Sequence, residues 1–199
     1  MPRTGLSPEE LKRVALDSAE KMIRKFGFDK THLVDIAKEI GVSHPILYRL
    51  FPDKAALIDA VSERWLNRID DELSKIVLKK GSSKSRLHAW FLALHRLKKE
   101  KVSMDPELYR AFNSSAELRR PVVVRHLETA MNQLVSILES GIRSGEFSKK
   151  DPKLLANLLF QGMISFHHPK MVLDHLERDR ELLLKQVLDL LLAGILRTS

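Results

Sequence analysis

The sequence predicts an all-α fold: a three-helix N-terminal head joined by a long helix to an all-helical body. Three observations predict it. Apolar residues recur three and four positions apart along most of the chain, the period that gathers side chains on one face of a helix. No sustained apolar/polar alternation and no Asn-Gly or Asp-Gly hairpin turn occurs, and β-branched residues cluster only at Val122, Val123 and Val124. The breaks between stripes carry helix punctuation, with Ser-Pro, Asp-Pro or a bare Pro at the starts and Gly at the stops.

In chain order, Ser7-Pro8-Glu9-Glu10 opens the first helix, with Ser7 as cap, Pro8 at the first helical position and Glu10 closing a capping box. Leu11, Val14, Ala15, Ala19, Met22, Ile23 and Phe26 follow at helical spacing until Gly27 stops them. Thr31 is expected to cap a short second helix running to Ile40, Gly41 and Val42 to form a turn, and Ser43 to cap a third helix ending near Phe51. Asp53 caps a long fourth helix, whose stripe of Leu57, Ile58, Val61, Trp65, Ile69, Leu73 and Ile76 persists until Lys79-Lys80-Gly81-Ser82-Ser83-Lys84 breaks it.

The body repeats this grammar. A helix from Arg86 carries Leu87, Trp90, Phe91 and Leu94; Asp105-Pro106 starts another with Leu108, Tyr109 and Phe112. Pro121 opens a longer one holding Leu127, Met131, Leu134, Leu138 and Ile142, which Gly145 ends. Asp151-Pro152 launches a leucine-rich helix expected to reach Phe166 before Pro169 interrupts, and the last runs from about Arg180 to Arg197. The expected division is 1–52 for the head and 53–199 for the body. No fixed-period repeat is visible, which disfavours a solenoid.

Composition narrows the function classes. With 199 residues, 44% apolar and 30% charged, the chain can bury a core and is not a disordered segment. The absence of cysteine excludes disulfides, thiolate chemistry and cysteine-containing zinc sites. Met1 to Leu11 has no apolar signal region and no stretch approaches the roughly 18 apolar residues of a membrane span, so a cytoplasmic location is expected. A net charge of +8 suits an anionic partner such as nucleic acid, but the excess is +2 over residues 1–68, +5 over 69–120 and +1 over the remainder. Charge alone therefore does not locate a nucleic-acid surface, and the local pattern must decide.

That pattern is Asp35-Ile36-Ala37-Lys38-Glu39-Ile40-Gly41-Val42-Ser43-His44-Pro45-Ile46-Leu47-Tyr48-Arg49, which has the spacing of a helix-turn-helix. Ala37 is small where two helices cross, and Gly41, four residues later, suits a left-handed turn. Ile36, Ile40, Val42 and Leu47 fill the core against Met22, Ile23 and Phe26, which leaves the outer face of the third helix free to enter a major groove.

Thr31 through Trp65, with Ile36-Ala37, Gly41-Val42-Ser43, Leu47-Tyr48, Phe51 and Lys54-Ala55-Ala56-Leu57, resembles the N-terminal signature of the TetR family of transcriptional regulators. Beyond it the chain matches that family in layout, including Ser144-Gly145-Glu146-Phe147 before an Asp-Pro helix start. The resemblance implies a homodimeric, ligand-responsive repressor of palindromic operator DNA. It implies DNA-binding roles for Thr31, Ser43, His44, Pro45, Ile46, Tyr48, Arg49 and Lys54. Of these, Thr31, Tyr48 and Lys54 would hold phosphate, Arg49 would read guanine, and His44 is the second candidate for a base. Pro45 and Ile46 depart from the small or hydroxylated residues usual in that family; Ile46 can offer only apolar contact, as with a thymine methyl.

In the body, Trp90, Met104, Tyr109, Phe112, Met131, Phe160 and His167 are candidates for an effector pocket, each weighed against a place in the plain core. Lys98-Lys99-Glu100-Lys101 reads as a solvated helix end. His167 and His168 with Asp174 and His175 form the one constellation suggestive of metal, but adjacent histidines diverge on a helix, so neither a metal nor another cofactor is expected. Leu182, Leu183, Leu184, Leu188, Leu190, Leu191 and Leu192 cannot all face one core, which points to a partner subunit against the last two long helices, as in similar proteins. No nucleophile, base and orienting acid stand at a catalytic spacing, so no enzyme is expected. Activation instead of repression, and sequence-independent DNA coating, stay open as alternatives.

Overall fold

The computed structural model of the chain describes residues 5–196, with backbone alone at Ser114 and Ser115. Among them lie ten α-helices: α1 Pro8–Phe26, α2 Leu33–Glu39, α3 His44–Leu50, α4 Lys54–Val77, α5 Ser83–Met104, α6 Pro106–Glu117, α7 Pro121–Ser144, α8 Pro152–Gly162, α9 Pro169–Asp174 and α10 Glu181–Ala193. An isolated antiparallel bridge between Phe147 and Leu196 is the β-type pairing present among the described residues.

Local chemistry accounts for most boundaries. The Ser7 hydroxyl accepts from the Glu10 backbone N–H at 3.2 Å while the Ser7 N–H donates to the Glu10 carboxylate at 2.8 Å, a complete capping box. Gly27, at φ +82°, ends α1 by donating to the Ile23 carbonyl. Asp53 accepts from the Ala56 N–H at 2.7 Å at the start of α4. Phe26, placed on the buried stripe from its spacing, is 48% exposed.

Several expectations are corrected. His32, not Thr31, occupies the cap position of α2, and Thr31 is buried with its hydroxyl donated to the Gly27 carbonyl at 2.9 Å. Ser43 stands at the cap of α3 without a side-chain bond. Helix α5 starts at Ser83 instead of Arg86, because the Glu146 carboxylate accepts from the Ser83 and Lys84 N–H groups at 2.8 and 3.1 Å. Helix α8 stops at Gly162, short of Phe166; Ile164–Phe166 form a 3-10 turn, and His168 is extended, as the residue before a proline prefers. Helix α10 ends at Ala193, and the expected terminus at Arg197 lies outside the described residues.

The chain divides into two compact units. The first comprises the chain up to Trp65 together with Asp105–Val123; the second comprises Leu66–Met104 and the chain from Val124 onward. In the first, Ala15, Leu16, Ala19 and Ile23 of α1 pack with Leu33, Ile36, Ala37, Leu47, Phe51, Leu57, Ile58 and Val61, and Leu108 and Ala111 of α6 join the same core. Ion pairs support it: Arg64 reaches Asp17 and Glu20, Arg24 reaches Asp105, and Arg120 reaches Asp59 at 2.7 Å. Trp65, Tyr109 and Phe112 meet edge to face.

In the second unit α5 packs on α9 and α10. Its stripe of Leu87, Trp90, Phe91, Leu94 and Val102 is buried. Helix α7 is tied in by polar contacts: the Trp90 indole N–H donates to Gln133 at 2.8 Å, Gln133 donates to the Asp70 carbonyl, and Arg86 donates to Ser140.

Candidate nucleic-acid interface

The turn between α2 and α3 sets the interface. Gly41 adopts φ +70°, and the Val42 N–H returns to the Ala37 carbonyl at 2.9 Å, so the chain reverses within four residues. Ala37 is fully buried, consistent with a backbone approach that a larger side chain would obstruct. Helix α3 is only seven residues long and turns Leu47 completely inward. The helical period then sends its other positions outward: Ser43, His44, Pro45, Tyr48 and Arg49 are exposed and Ile46 is half-buried. Arg49 makes no ion pair among the described residues, and Tyr48 presents an aromatic ring that is 44% exposed.

Beside α3 a cleft of about 510 Å³ is lined by His32, Leu33, Val34 and Asp35 from the start of α2, by Tyr48, and by Pro52, Asp53 and Lys54. Tyr48 and Lys54, given the same phosphate-holding role by the resemblance, share one surface. The Lys54 ammonium donates to the Asp29 carbonyl at 3.0 Å and stands 4.3 Å from the Phe28 ring centroid, which fixes the charge in place while leaving further protons for an acceptor. Thr31 does not reach this surface, because its hydroxyl is spent on Gly27. His32, which is not among the residues the resemblance marks for DNA, stands at the cap position of α2 and lines the cleft.

The seven body residues expected around an effector are divided between the two units. Tyr109 and Phe112 belong to the first unit with Trp65. Met104 is 73% exposed; it lies two residues past buried Val102, hence on the opposite side of α5. Trp90 is buried, Met131 is half-buried, and the half-buried Phe160 ring stacks 4.1 Å from His167.

The second unit holds a buried polar cluster in which His167, a candidate from the sequence, is joined by Lys98, expected at the surface, and by His95 and His126. Lys98, expected on a solvated helix end, is 4% exposed and donates to the His167 carbonyl at 2.9 Å. Its spacing, four residues after Leu94 and four before Val102, was the available signal. His95, one turn earlier, contacts the Phe166 carbonyl through Nδ1 at 2.8 Å, and its buried Nε2 lacks a partner among the described residues. His167 contacts the Phe160 carbonyl at 2.9 Å, and the His126 ring contacts the Asp70 carboxylate at 2.7 Å. Burial pushes the Lys98 ammonium down to about 8 against the pull of Asp70. Burial, reinforced by the Lys98 charge, lowers His167 to about 3. Burial likewise holds His126 and His95 below the usual imidazole range. Among the described residues no group of three or more His, Asp or Glu side chains is placed to hold a metal, and no helix is long and apolar enough to cross a membrane.

Comparison with known proteins bears on this geometry. Residues 15–61 match the family described as bacterial regulatory proteins, tetR family, and residues 83–188 match the tetracyclin repressor-like C-terminal domain. The chain is 25% identical over 186 residues to the fatty acid metabolism regulator protein of Bacillus subtilis, covering 90% of this chain and 93% of that one. A TetR-family transcriptional regulator from Pectobacterium atrosepticum superposes with a TM-score of 0.70 at 23% identity, covering 96% of each chain. The regulator FadR of Bacillus subtilis, solved in complex with stearoyl-CoA, superposes with a TM-score of 0.65 at 23% identity, covering 92% of this chain and 98% of that one.

Proposed function

The chain belongs to the TetR family of bacterial regulatory proteins, and from that premise we propose that it is a cytoplasmic transcriptional repressor, homodimeric on a palindromic operator and released by a small-molecule effector. The observation that carries the reading is the outward face of α3, where Arg49, Tyr48 and His44 stand free while Leu47 anchors the helix from behind. Arg49 donates twice to guanine O6 and N7, and His44 and Ile46 contribute to base selection with Ser43 and Pro45 at the helix start. Tyr48 and Lys54, joined by His32 across the cleft, hold the phosphate backbone. Thr31 acts from behind this surface, by holding the Gly27 carbonyl.

Residues 1–52 supply DNA binding, and 53–199 supply effector binding and dimerisation. Trp90, Met131, Phe160 and His167 are the candidate effector contacts that the second unit retains. The ligand-bound relative supports an effector role for such a body. The partner subunit covers α8 and α10, which expose Leu154, Leu158, Leu182, Leu183 and Leu190. Effector binding and operator binding then oppose each other by the same factor in both directions.

Selecting bound sequences from a random duplex pool tests the reading. A twofold-symmetric consensus, with half-sites about one helical turn apart, is expected. Binding that rises steeply at low salt with no sequence preference would replace it with the DNA-coating alternative. A reporter placed downstream of the selected site separates repression from activation by the sign of its response.

A further inference from the structure

Most of the net positive charge lies beyond residue 68, and part of it gathers on one surface of the second unit. Three stretches far apart in sequence meet there. The Glu146 carboxylate accepts from the Ser83 and Lys84 N–H groups at 2.8 and 3.1 Å, which joins the segment between α4 and α5 to the one that follows α7. The Ser148 N–H donates to the Ile195 carbonyl at 2.9 Å and the Lys150 ammonium to the Gly194 carbonyl at 3.3 Å, which adds the end of α10. Residues 78–84 and 143–153 together carry seven basic side chains and two carboxylates, Glu146 and Asp151. Lys84 is matched by Asp189 at 2.8 Å, and Arg143 lies 4.0 Å from Glu139. Lys79, Lys80, Lys149, Lys150 and Lys153 are exposed and form no ion pair among the described residues. Next to Lys79 in the chain, Leu78 is 83% exposed, more than any other large apolar side chain described.

We infer that this surface docks on an anionic lipid bilayer, with its lysines against the headgroups and Leu78 in the interface. Charge complementarity and the type of side chain select this partner. Clusters of lysine are drawn to anionic headgroups, and their long apolar stems lie along the interface while the ammonium groups stay in water. An apolar side chain among them adds the second contribution that a stable attachment needs. A nucleic-acid backbone fits the same surface less well. The backbone N–H groups that would hold a phosphate at the start of α5 are taken by Glu146, and the Lys153 N–H at the start of α8 is taken by Asp151 at 2.9 Å. The neighbouring Arg86 guanidinium is engaged by the Val77 carbonyl and by Ser83 and Ser140 at 2.8 to 3.1 Å, which leaves flexible point charges instead of a fork for phosphate. A solvated leucine gives a phosphodiester nothing to bind.

The test is flotation of the full chain with vesicles of phosphatidylcholine alone and of phosphatidylcholine mixed in equal parts with phosphatidylglycerol, at low and at physiological salt. Binding to the mixed vesicles only, weaker at the higher salt, is expected. Each lysine near such a bilayer contributes about fivefold to partitioning, so Lys79→Gln with Lys80→Gln should lower it about 25-fold. Lys149→Gln with Lys150→Gln should do the same from the other segment. Leu78→Ser should weaken binding and leave its salt dependence in place. All five side chains are exposed, so the melting temperature should stay that of the wild type and operator selection should be unchanged. Absence of vesicle binding, equal binding to both vesicle types, or partitioning that neither lysine pair alters would overturn the inference. So would lysine variants that weaken binding to a duplex without an operator as much as they weaken vesicle binding, because the surface would then be one for nucleic acid.

Discussion

At residue 47 a leucine turns inward, and one or two positions later Tyr48 and Arg49 turn outward; on so short a helix that phase decides which side chains meet DNA. Arg49→Ala is expected to relax preference at one position per half-site, with a loss of about 1 to 3 kcal/mol of discrimination read by competition between operator variants. Lys54→Ala should weaken binding to every sequence alike and lower the salt slope by about one, measured by titration at several salt concentrations. A pH dependence belongs at this scale too. His167 keeps its imidazole neutral in the fold down to about pH 3, whereas in the unfolded chain it takes a proton near 6.5. Its contribution is therefore present above pH 6.5 and is lost as the pH falls, by about 2 kcal/mol at pH 5 from this group alone. Urea unfolding at pH 7 and pH 5 checks it; equal midpoints would show that His167 protonates in the native state.

Among the elements, two glycines show how different forces set a boundary and a packing. Gly41 lies at φ +70° with nothing within 4 Å of the position a Cβ would take, so Gly41→Ala meets only backbone strain, about 1 to 2 kcal/mol. Gly141 is inside α7, and a Cβ there would fall 2.3 Å from the Phe147 ring and 2.9 Å from Ser83 Cβ. Gly141→Ala is thus an overpacking change, expected to cost about 3 kcal/mol or more because α5 or the Phe147 segment must move. Denaturant midpoints should rank Gly141→Ala below Gly41→Ala, and operator affinity should rank them the other way. The capped start of α1 was legible because Ser7 and Glu10 are three residues apart; the start of α5 was not, because its cap, Glu146, is 63 residues from Ser83.

For the whole molecule, the faces that the chain cannot bury by itself carry the prediction. Leu158 and Leu190 are 55% and 76% exposed on α8 and α10. Placing glutamate at both, Leu158→Glu with Leu190→Glu, should yield a monomer by sedimentation with unchanged helical circular dichroism, and should reduce operator affinity by removing the second head. A wild-type protein that sediments as a monomer at all concentrations would reject the dimer. The two compact units also show a grouping that no local signal announces: α6, distant from the head in sequence, shares a core with α1 through Leu108 and Ala111.

The helical class, most helix ends and the helix-turn-helix are legible in the chain alone, because period, caps and tight turns are interactions within a few residues. Which polar residues lie inside depends instead on how distant segments pack. Lys98 within a basic run, Thr31 before a helix and Met104 at a helix end look alike to a local rule, yet the first two are buried and the third is exposed. Burial is a property of what arrives from elsewhere in the chain, such as the Asp70, Phe166 and His167 groups around α5; the spacing of Lys98 with Leu94 and Val102 puts it on their face but does not say which groups cover that face.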